Sequence, residues 1–356
     1  MPLLVAGDFL LGDEKETPTY SYPWILNLIL YSYLPVMIGA AVLFVWTMAP
    51  GDLFRVGGMV ATVTGYDALA AKAGNTPIDY LGAALGMGLL RATIATRIAH
   101  ELIHRTWDPV AMFFGRWFFA LSGGVPFGVE HVYGHHTTLG LAHDTSLSLR
   151  RFSYYDFFAT APWKQLVYAW RVEKDRLAKR GKFTFSPANR MLRAGARIAV
   201  VWGAVGLLGG WLAVGFYTAA FWISKMLLEA LGFMFHHGQV RDTDGADGPR
   251  HSWNSNTRLS SVVLCNVTRH SEHHEHPNRP FHELAVVEPG VAPVLKYGAL
   301  TTAFLAFLPP LFFRTMGAQI LNWDKEFATD AEKQIAAQQN ADSGVAVYTR
   351  AAQAAA

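Results

Sequence analysis

The chain has 356 residues, of which 51% are hydrophobic and only 16% are charged. Soluble domains carry about 25% charged residues, so two ordinary soluble domains, a disordered chain and a coiled coil are poor interpretations. The net charge of +3 identifies no partner by itself. The single cysteine, Cys265, excludes an intrachain disulfide framework, a cysteine-ligated zinc site and a built-in iron–sulfur carrier.

Long stretches without charge predict helices that cross a membrane. No charged residue occurs from position 17 to 51, and residues 24–48 are long enough to cross a hydrocarbon layer of ~30 Å as one helix. Residues 78–104 predict a second long helix, whose histidine-bearing end should stand out of the bilayer. Residues 198–235 are too long for one span and contain a pair of glycines, so they predict a helical hairpin. We therefore expect an all-α integral membrane protein with about four spans.

Two weaker segments predict interfacial helices. Residues 56–71 are expected at the outer surface of the membrane, and residues 297–313 suit a re-entrant or interfacial element because they contain two adjacent prolines. The sequence has no internal repeat or linker, so residues 1–334 are predicted to form a single domain. Residues 335–356 are mostly polar or small and predict a mobile tail.

The positive charge is concentrated in one segment. Residues 146–200 contain 12 Lys or Arg against 3 Asp or Glu, a surplus of nine in a chain whose net charge is +3. Beside membrane spans such an excess marks the cytoplasmic side, although a solvated amphipathic helix without an orienting role is the alternative. We predict a multi-pass protein of the inner membrane whose histidine-bearing face is cytoplasmic.

The 14 histidines fall within two windows, residues 100–143 and 236–282. Histidines at i and i+4 on a helix lie on one face and can bind one metal ion. His131 and His135 have this spacing, and the adjacent His136 is turned away by ~100°, which could bring it to a second metal. The nine clustered histidines exceed what one ion can coordinate, so two metals are predicted. They are His100, His104, His131, His135, His136, His236, His270, His273 and His274.

Carboxylates beside these histidines are the expected hydrogen-bond acceptors that fix the imidazole tautomers. They are Glu101, Glu130, Asp144, Glu272 and Glu275. Glu229 lies two helical turns before His236 in an otherwise apolar stretch, where a carboxylate is costly and usually functional. It either supports a ligand histidine or pairs with Lys225. Glu101 and Glu229 are the candidate catalytic residues.

Two other classes of metalloprotein stay open at this point. Residues 100–104 spell H-E-x-x-H, the zinc protease motif in which the glutamate is a general base. A protease needs only three protein ligands, which would leave six clustered histidines without a role. A histidine-rich metal carrier is also conceivable, but transport sites lie near the bilayer midplane rather than at helix ends.

Longer motifs resemble those of the integral-membrane non-haem di-iron alkane hydroxylases and the related xylene monooxygenase hydroxylase component. The motifs are HELIHR at 100–105, EHVYGHH at 130–136, GFMFHHGQ at 232–239, HSWNSN at 251–256, RHSEHHEHPNRPF at 269–281 and NWDKEFAT at 322–329. The resemblance covers residues 21–334. In the third motif Phe235 and His237 replace the residues that are usual there, so we align His236 with the family's ligand.

The resemblance implies that the nine histidines hold two non-haem iron ions. It implies a monooxygenase that uses O2 to hydroxylate an unactivated C–H bond, such as the terminal methyl group of an alkane, an alkyl chain or an aromatic methyl group. A desaturase or a fatty-acid decarboxylase acting on a lipid chain is the alternative in the same class. With one cysteine and no G-x-G-x-x-G motif, the chain should need a rubredoxin or ferredoxin-type carrier with its reductase. Membrane lipids are further expected partners, and nucleic acid is not expected.

Overall fold

The computed structural model describes residues 2–288 and 290–355, which are mostly helical and contain no β-strand. The predicted all-α class is confirmed. These residues divide into two compact units. The span unit contains Tyr22–Val125 and Phe185–Leu227, and the histidine unit contains residues 2–21, 126–184, 228–288 and 290–355. A single domain over residues 1–334 stays a prediction.

The connections between the helices range from 2 to 23 residues, and two helical stretches contain a π-helical turn. The π-helical turns are Arg91–Ala95, between α5 and α6, and His131–His135, between α8 and α9. In chain order the α-helices are α1 Pro2–Leu11, α2 Pro23–Trp46, α3 Val56–Thr64, α4 Ala68–Ala73, α5 Pro77–Leu90, α6 Thr96–His104, α7 Pro109–Ser122, α8 Phe127–Glu130, α9 His136–Thr138, α10 Tyr154–Ala178, α11 Arg190–His236, α12 Arg258–Val263, α13 His270–Glu275, α14 Ala299–Ala306, α15 Pro309–Glu326, α16 Asp330–Asp342 and α17 Ala346–Ala355.

Three helical stretches among the described residues are long and apolar enough to cross a membrane: α2, the 28-residue stretch Pro77–His104, and α11. They indicate a membrane protein. Both α2 and Pro77–His104 begin with a proline, whose fixed φ suits the first turn and whose missing N–H is not needed there. The two long helices expected from the charge-free sequence are confirmed, and the number of four spans stays a prediction.

The longest helix, α11, doubles back at Gly210, where the backbone has φ 71° and ψ −172°. Only glycine adopts this region readily. Trp202 and Thr218 lie on opposite sides of the turn, and Trp202 Nε1 donates a hydrogen bond of 3.0 Å to Thr218 Oγ1. Two residues 16 positions apart in a straight helix would be separated by ~24 Å. The predicted helical hairpin is therefore confirmed.

Close packing within the span unit fixes the helix that bears His100 and His104. A Cβ at Gly88 would lie 2.6 Å from the side chain of Ile223, so this glycine lets α5 approach α11 closely. The fully buried Arg91 donates from Nη1 to the carbonyl of Tyr217 at 3.1 Å, and its guanidinium lies 3.7 Å from the centre of the Tyr217 ring. These contacts offset the cost of burying the Arg91 cation between two apolar helices.

The two segments that were expected at the interface are both helical. Residues 56–71 form α3 and the start of α4, and residues 297–313 form α14 and the start of α15. The adjacent prolines of the second segment occupy the first turn of α15, where proline is well tolerated. Their depth in the membrane stays a prediction.

The C-terminal segment was expected to be a mobile tail, but its described residues form the end of α16 and α17. Tyr348 of α17 is fully buried, and its ring centre lies 6.5 Å from that of Phe313 in α15. A Cβ at Gly317 would lie 2.5 Å from the side chain of Val347, which shows how closely α17 approaches α15. The mobility of residues 335–356 stays a prediction.

We expect Tyr348→Ala to lower the free energy of unfolding by ~3–5 kcal/mol, because truncating a buried aromatic side chain leaves a cavity. The measurement is thermal unfolding followed by circular dichroism in one fixed detergent. Gln353→Ala, which changes an exposed side chain of the same helix, is the matched control. Equal stability of the two variants would support the mobile tail instead.

Candidate metal centre

Four imidazoles of the histidine unit face a common centre. They belong to His135, His236, His270 and His274, and their ligand atoms all lie within 4.8 Å of one another. Nε2 of His236 lies 3.1 Å from Nε2 of His135 and 3.0 Å from Nε2 of His270. Nε2 of His274 lies 3.2 Å from Nε2 of His270, one helical turn away on α13.

The outer nitrogens of two of these rings determine where the protons reside. His135 Nδ1 lies 2.9 Å and 3.1 Å from the two carboxylate oxygens of Asp144, and His270 Nδ1 lies 3.2 Å from the carbonyl of Val267. A carboxylate and a carbonyl only accept, so each Nδ1 carries the proton and each neutral ring presents a lone pair at Nε2. A single hydrogen at His236 Nε2 cannot satisfy both lone pairs. A metal cation can accept them all, so the donor set fits a metal ion.

Burial keeps most of these rings in the neutral form that binds metals. It lowers the pKa of His273 to about 3 and holds the pKa values of His270 and His274 well below their ordinary range. Burial also lowers the pKa of His135, but the charge and hydrogen bond of Asp144, together with the charges of Glu130 and Glu229, raise this pKa above its ordinary value. A carboxylate partner of this kind makes an imidazole a stronger metal ligand.

A second group in the same unit contains His131, His136 and His273, whose ligand atoms also lie within 4.8 Å of one another. Nε2 of His131 lies 3.2 Å from Nε2 of His136. The expectation that His131 and His135 share a metal, with His136 reaching another, is therefore wrong. The chain forms a π-helical turn at His131–His135, and such a turn aligns residues five positions apart rather than four.

The remaining predicted ligand pair lies in the span unit, at the end of α6. His100 and His104 are buried, and their ring centres are 4.9 Å apart, so the i,i+4 pair forms as predicted. The neighbouring Glu101 forms an ion pair with Arg105. Its Oε1 accepts hydrogen bonds from Arg105 Nη2 at 2.6 Å and from Arg105 Nε at 3.1 Å. Arg105 Nη1 also donates to Asn27 Oδ1 at 2.7 Å. A carboxylate fixed in an ion pair is poorly suited to be the general base of a zinc protease.

Glu229, the other candidate catalytic residue, is buried in the histidine unit. Its Oε2 accepts a hydrogen bond of 3.1 Å from Gln165 Nε2 of α10, and its charge contributes to the raised pKa of His135. Glu130 accepts from the Thr145 hydroxyl, and burial raises the pKa of Glu130 to about 7. Sequence reasoning missed Gln165 and Thr145. No local pattern marks either residue, because each meets its partner only in the folded chain.

Two of the histidines outside the nine have other polar partners among the described residues. His237 Nδ1 lies 3.1 Å from Ser148 Oγ, which agrees with aligning its neighbour His236 as the ligand. His251 Nε2 lies 2.7 Å from a carboxylate oxygen of Glu332. Of the acidic residues expected to support ligands, Glu272 pairs with Arg279, and it forms a partly exposed group with Glu275 and His276.

Arg150 stabilises the chain after His236, a role that no sequence pattern predicts. Its guanidinium is fully buried and donates to the carbonyl of Gly238 at 2.9 Å. It also donates to Asp324 of α15 and to Asn340 of α16, each at 2.7 Å. The C-terminal helices are thereby tied to the segment that carries a predicted ligand.

Residues 76–306 match the family model described as fatty acid desaturase. Alkane 1-monooxygenase 2 of Alcanivorax borkumensis is 29% identical over 88% of this chain and 78% of its own length. Alkane 1-monooxygenase 1 of Pseudomonas aeruginosa is 28% identical over 90% of this chain and 80% of its own. The xylene/toluene monooxygenase hydroxylase component XylM of Pseudomonas putida is 26% identical over 96% and 87%. The resemblance inferred from the motifs is confirmed.

If the four imidazoles bind a metal ion, we expect Asp144→Asn to lower the metal affinity ~10- to 100-fold, the usual effect of removing a carboxylate that supports a metal-binding histidine. The measurement is metal content by mass spectrometry after dialysis against graded chelator. Asp175→Asn is the control, because it removes an exposed carboxylate from the neighbouring helix α10. An Asp144→Asn protein that retains metal as the control does would contradict the assigned orientation of His135.

Proposed function

Because this chain belongs to the fatty acid desaturase family, we propose that it is a membrane monooxygenase whose clustered histidines hold two iron ions. The convergence of four Nε2 atoms on one centre, beside a second group of three histidines, carries this proposal. The monooxygenase names of the relatives support it as well. When bound, the two irons would supply the activation of O2, which protein side chains alone cannot perform.

The proposed ligands follow the groups of imidazoles. His135, His236, His270 and His274 would hold one iron, and His131, His136 and His273 would contribute to the other. We propose His100 and His104 as further ligands from their i,i+4 spacing and their place in the HELIHR motif. Asp144 would hold the proton at His135 Nδ1 and so keep its Nε2 lone pair directed at the metal. Burial of these rings would exclude water from the oxidising site.

The proposed substrate is an apolar molecule with an unactivated methyl group: an alkane, an alkyl chain or an aromatic methyl compound. The relatives are named for alkanes and for xylene and toluene. A cavity of about 370 Å³ in the span unit supports an apolar substrate, since aliphatic and aromatic residues line it, among them Leu34, Val45, Trp117, Val205 and Tyr217. Its volume lies within the ~300–1,000 Å³ typical of ligand sites.

A desaturase acting on a lipid chain is the second candidate, because the matching family model carries that description. The two reactions use the same oxidant and differ in their products. Hydroxylation places one atom of O2 in the product alcohol and reduces the other to water with two electrons and two protons. Desaturation reduces both oxygen atoms to water and leaves a C=C bond. Isotope labelling of O2 therefore separates them.

We expect the iron-loaded full chain, in lipid nanodiscs with a rubredoxin, its reductase and NADH, to convert an n-alkane to the 1-alcohol with one labelled atom from ¹⁸O₂. His135→Ala and His273→Ala should abolish the product and lower bound iron, because each removes a proposed ligand. His282 lies outside both groups of imidazoles, so His282→Asn should retain product formation and bound iron and is the matched control.

An alkene without ¹⁸O would favour the desaturase. One tightly bound zinc ion per chain with peptide cleavage would favour the protease. Loosely held mixed metals without turnover would favour a metal carrier. Full iron content in His273→Ala would remove that residue from the proposed ligands.

We also propose that the protein lies in the inner membrane with the iron-binding face toward the cytoplasm, and that a separate rubredoxin or ferredoxin-type carrier reduces it. The positive surplus of residues 146–200 supports this orientation, and the single cysteine supports an external carrier. The exposed Lys174, Lys179 and Arg180 of this segment are available to attract an acidic carrier, whereas Arg176 pairs with the buried Glu173.

Charge reversal of Lys174, Lys179 and Arg180 to Glu should slow reduction by an acidic carrier and leave iron content unchanged. Added salt should slow reduction of the wild type too, because the Debye length falls from ~10 Å at 0.1 M to ~3 Å at 1 M. Stopped-flow reduction in a neutral detergent measures both effects. Reversal of the exposed Lys296, Lys325 and Lys333 is the matched control. Rates that respond to neither salt nor the first reversal would contradict docking on this segment.

A further inference from the structure

The histidine unit contains a second cavity that the proposed function does not use. It measures about 650 Å³ and lies between the loop that follows α9 and one face of α10. This volume is within the ~300–1,000 Å³ range of ligand sites. Aliphatic and aromatic side chains form most of its wall, among them Leu147, Leu149, Phe157 and Val167. The wall therefore suits a hydrocarbon chain.

Three exposed cations, Arg151, Lys164 and Arg171, line the same cavity. The Arg151 guanidinium lies 5.2 Å and Lys164 Nζ lies 5.9 Å from the centre of the Phe152 ring, so both cations border one aromatic side chain. Lys164 and Arg171 are two turns apart on α10 and so share a face. In the described part of the chain, none of the three forms an ion pair with a carboxylate.

Asp144 also lines the cavity, but it does not neutralise these cations because its carboxylate has other partners. Asp144 binds His135 Nδ1 at 2.9 Å and accepts from the backbone N–H of Ser146 at 2.9 Å. The rim of the cavity thus carries three positive charges above an apolar wall. A ligand that complements both parts has an anionic head and an aliphatic chain.

The position of Trp163 indicates that such a ligand would come from the membrane. This side chain lines the cavity and is 67% exposed, and tryptophan is enriched where a membrane protein meets the lipid headgroups. Basic residues next to membrane spans attract anionic lipids. We propose that the cavity binds an acidic membrane phospholipid, with its phosphate on Arg151, Lys164 and Arg171 and an acyl chain along Phe157 and Val167.

Lipid binding by the delipidated full chain in neutral detergent tests the proposal through native mass spectrometry. Wild type should retain one phosphatidylglycerol in preference to phosphatidylcholine. Joint replacement of Arg151, Lys164 and Arg171 by Gln should weaken phosphatidylglycerol binding up to ~100-fold, because each basic residue near an anionic headgroup strengthens binding ~5-fold. Joint replacement of the exposed Lys179, Arg180 and Lys182 by Gln removes the same charge outside the cavity and should have little effect.

A second variant tests the cavity without changing its charge. Thr160 is exposed and lines the cavity, so Thr160→Trp should fill it and reduce lipid binding while circular dichroism stays unchanged. Phosphatidylglycerol with brominated acyl chains should quench wild-type fluorescence more than that of Trp163→Phe, because bromine quenches nearby indoles.

Several results would overturn the proposal. Equal weakening in the two triple variants would mean unspecific attraction to the basic segment. Equal binding of phosphatidylglycerol and phosphatidylcholine would exclude a headgroup site. Binding by Thr160→Trp equal to wild type would place the lipid elsewhere. Displacement of the lipid by inorganic phosphate alone, with no dependence on acyl chain length, would identify a phosphate site without a chain site. Iron content plays no part in these measurements, so their failure leaves the proposed function untouched.

Discussion

The hydrogen bond between His135 Nδ1 and Asp144 is the interaction on which the candidate metal centre depends. It fixes one tautomer, and that tautomer turns a lone pair toward His236 Nε2, 3.1 Å away. A buried lone pair that meets other lone pairs is unfavourable unless a cation lies among them. The chain therefore gathers imidazoles whose lone pairs are poorly satisfied on their own, and binding of a metal ion would contribute to the stability of the folded state.

Such a centre needs rigid support, which comes from contacts between distant parts of the chain. Arg150 connects Gly238 with two C-terminal helices, and Glu332 of α16 accepts from Arg250 at 3.1 Å and lies 2.7 Å from His251 Nε2. Burial raises the pKa of Glu332, but its hydrogen bonds to His251 and Arg250 outweigh burial and lower the pKa to about 2. The C-terminal helices α15 and α16 thus hold in place the segments that follow His236.

Periodicity and charge predicted the elements whose signal is local. Residues 24–48 and 78–104 were recognisable because a membrane requires long charge-free helices. The hairpin in α11 was recognisable from excess length and paired glycines, and the clustering of nine histidines was visible in the sequence. Contacts between residues far apart in sequence had no such signal, as with Gln165 and Glu229, which are 64 positions apart. The burial of Tyr348 had no such signal either, because a single aromatic residue in an alanine-rich helix creates no periodic pattern.

The π-helical turn at His131–His135 makes the pairing of His131 with His136 depend on the backbone as well as on the two histidines. This turn holds one residue more than the α-helical turn that it replaces. In a regular α-helix, two residues five positions apart would lie ~140° apart around the axis, because each residue turns the helix by ~100°. A substitution that converted this turn to regular α-helix would therefore separate the two imidazoles without changing either histidine.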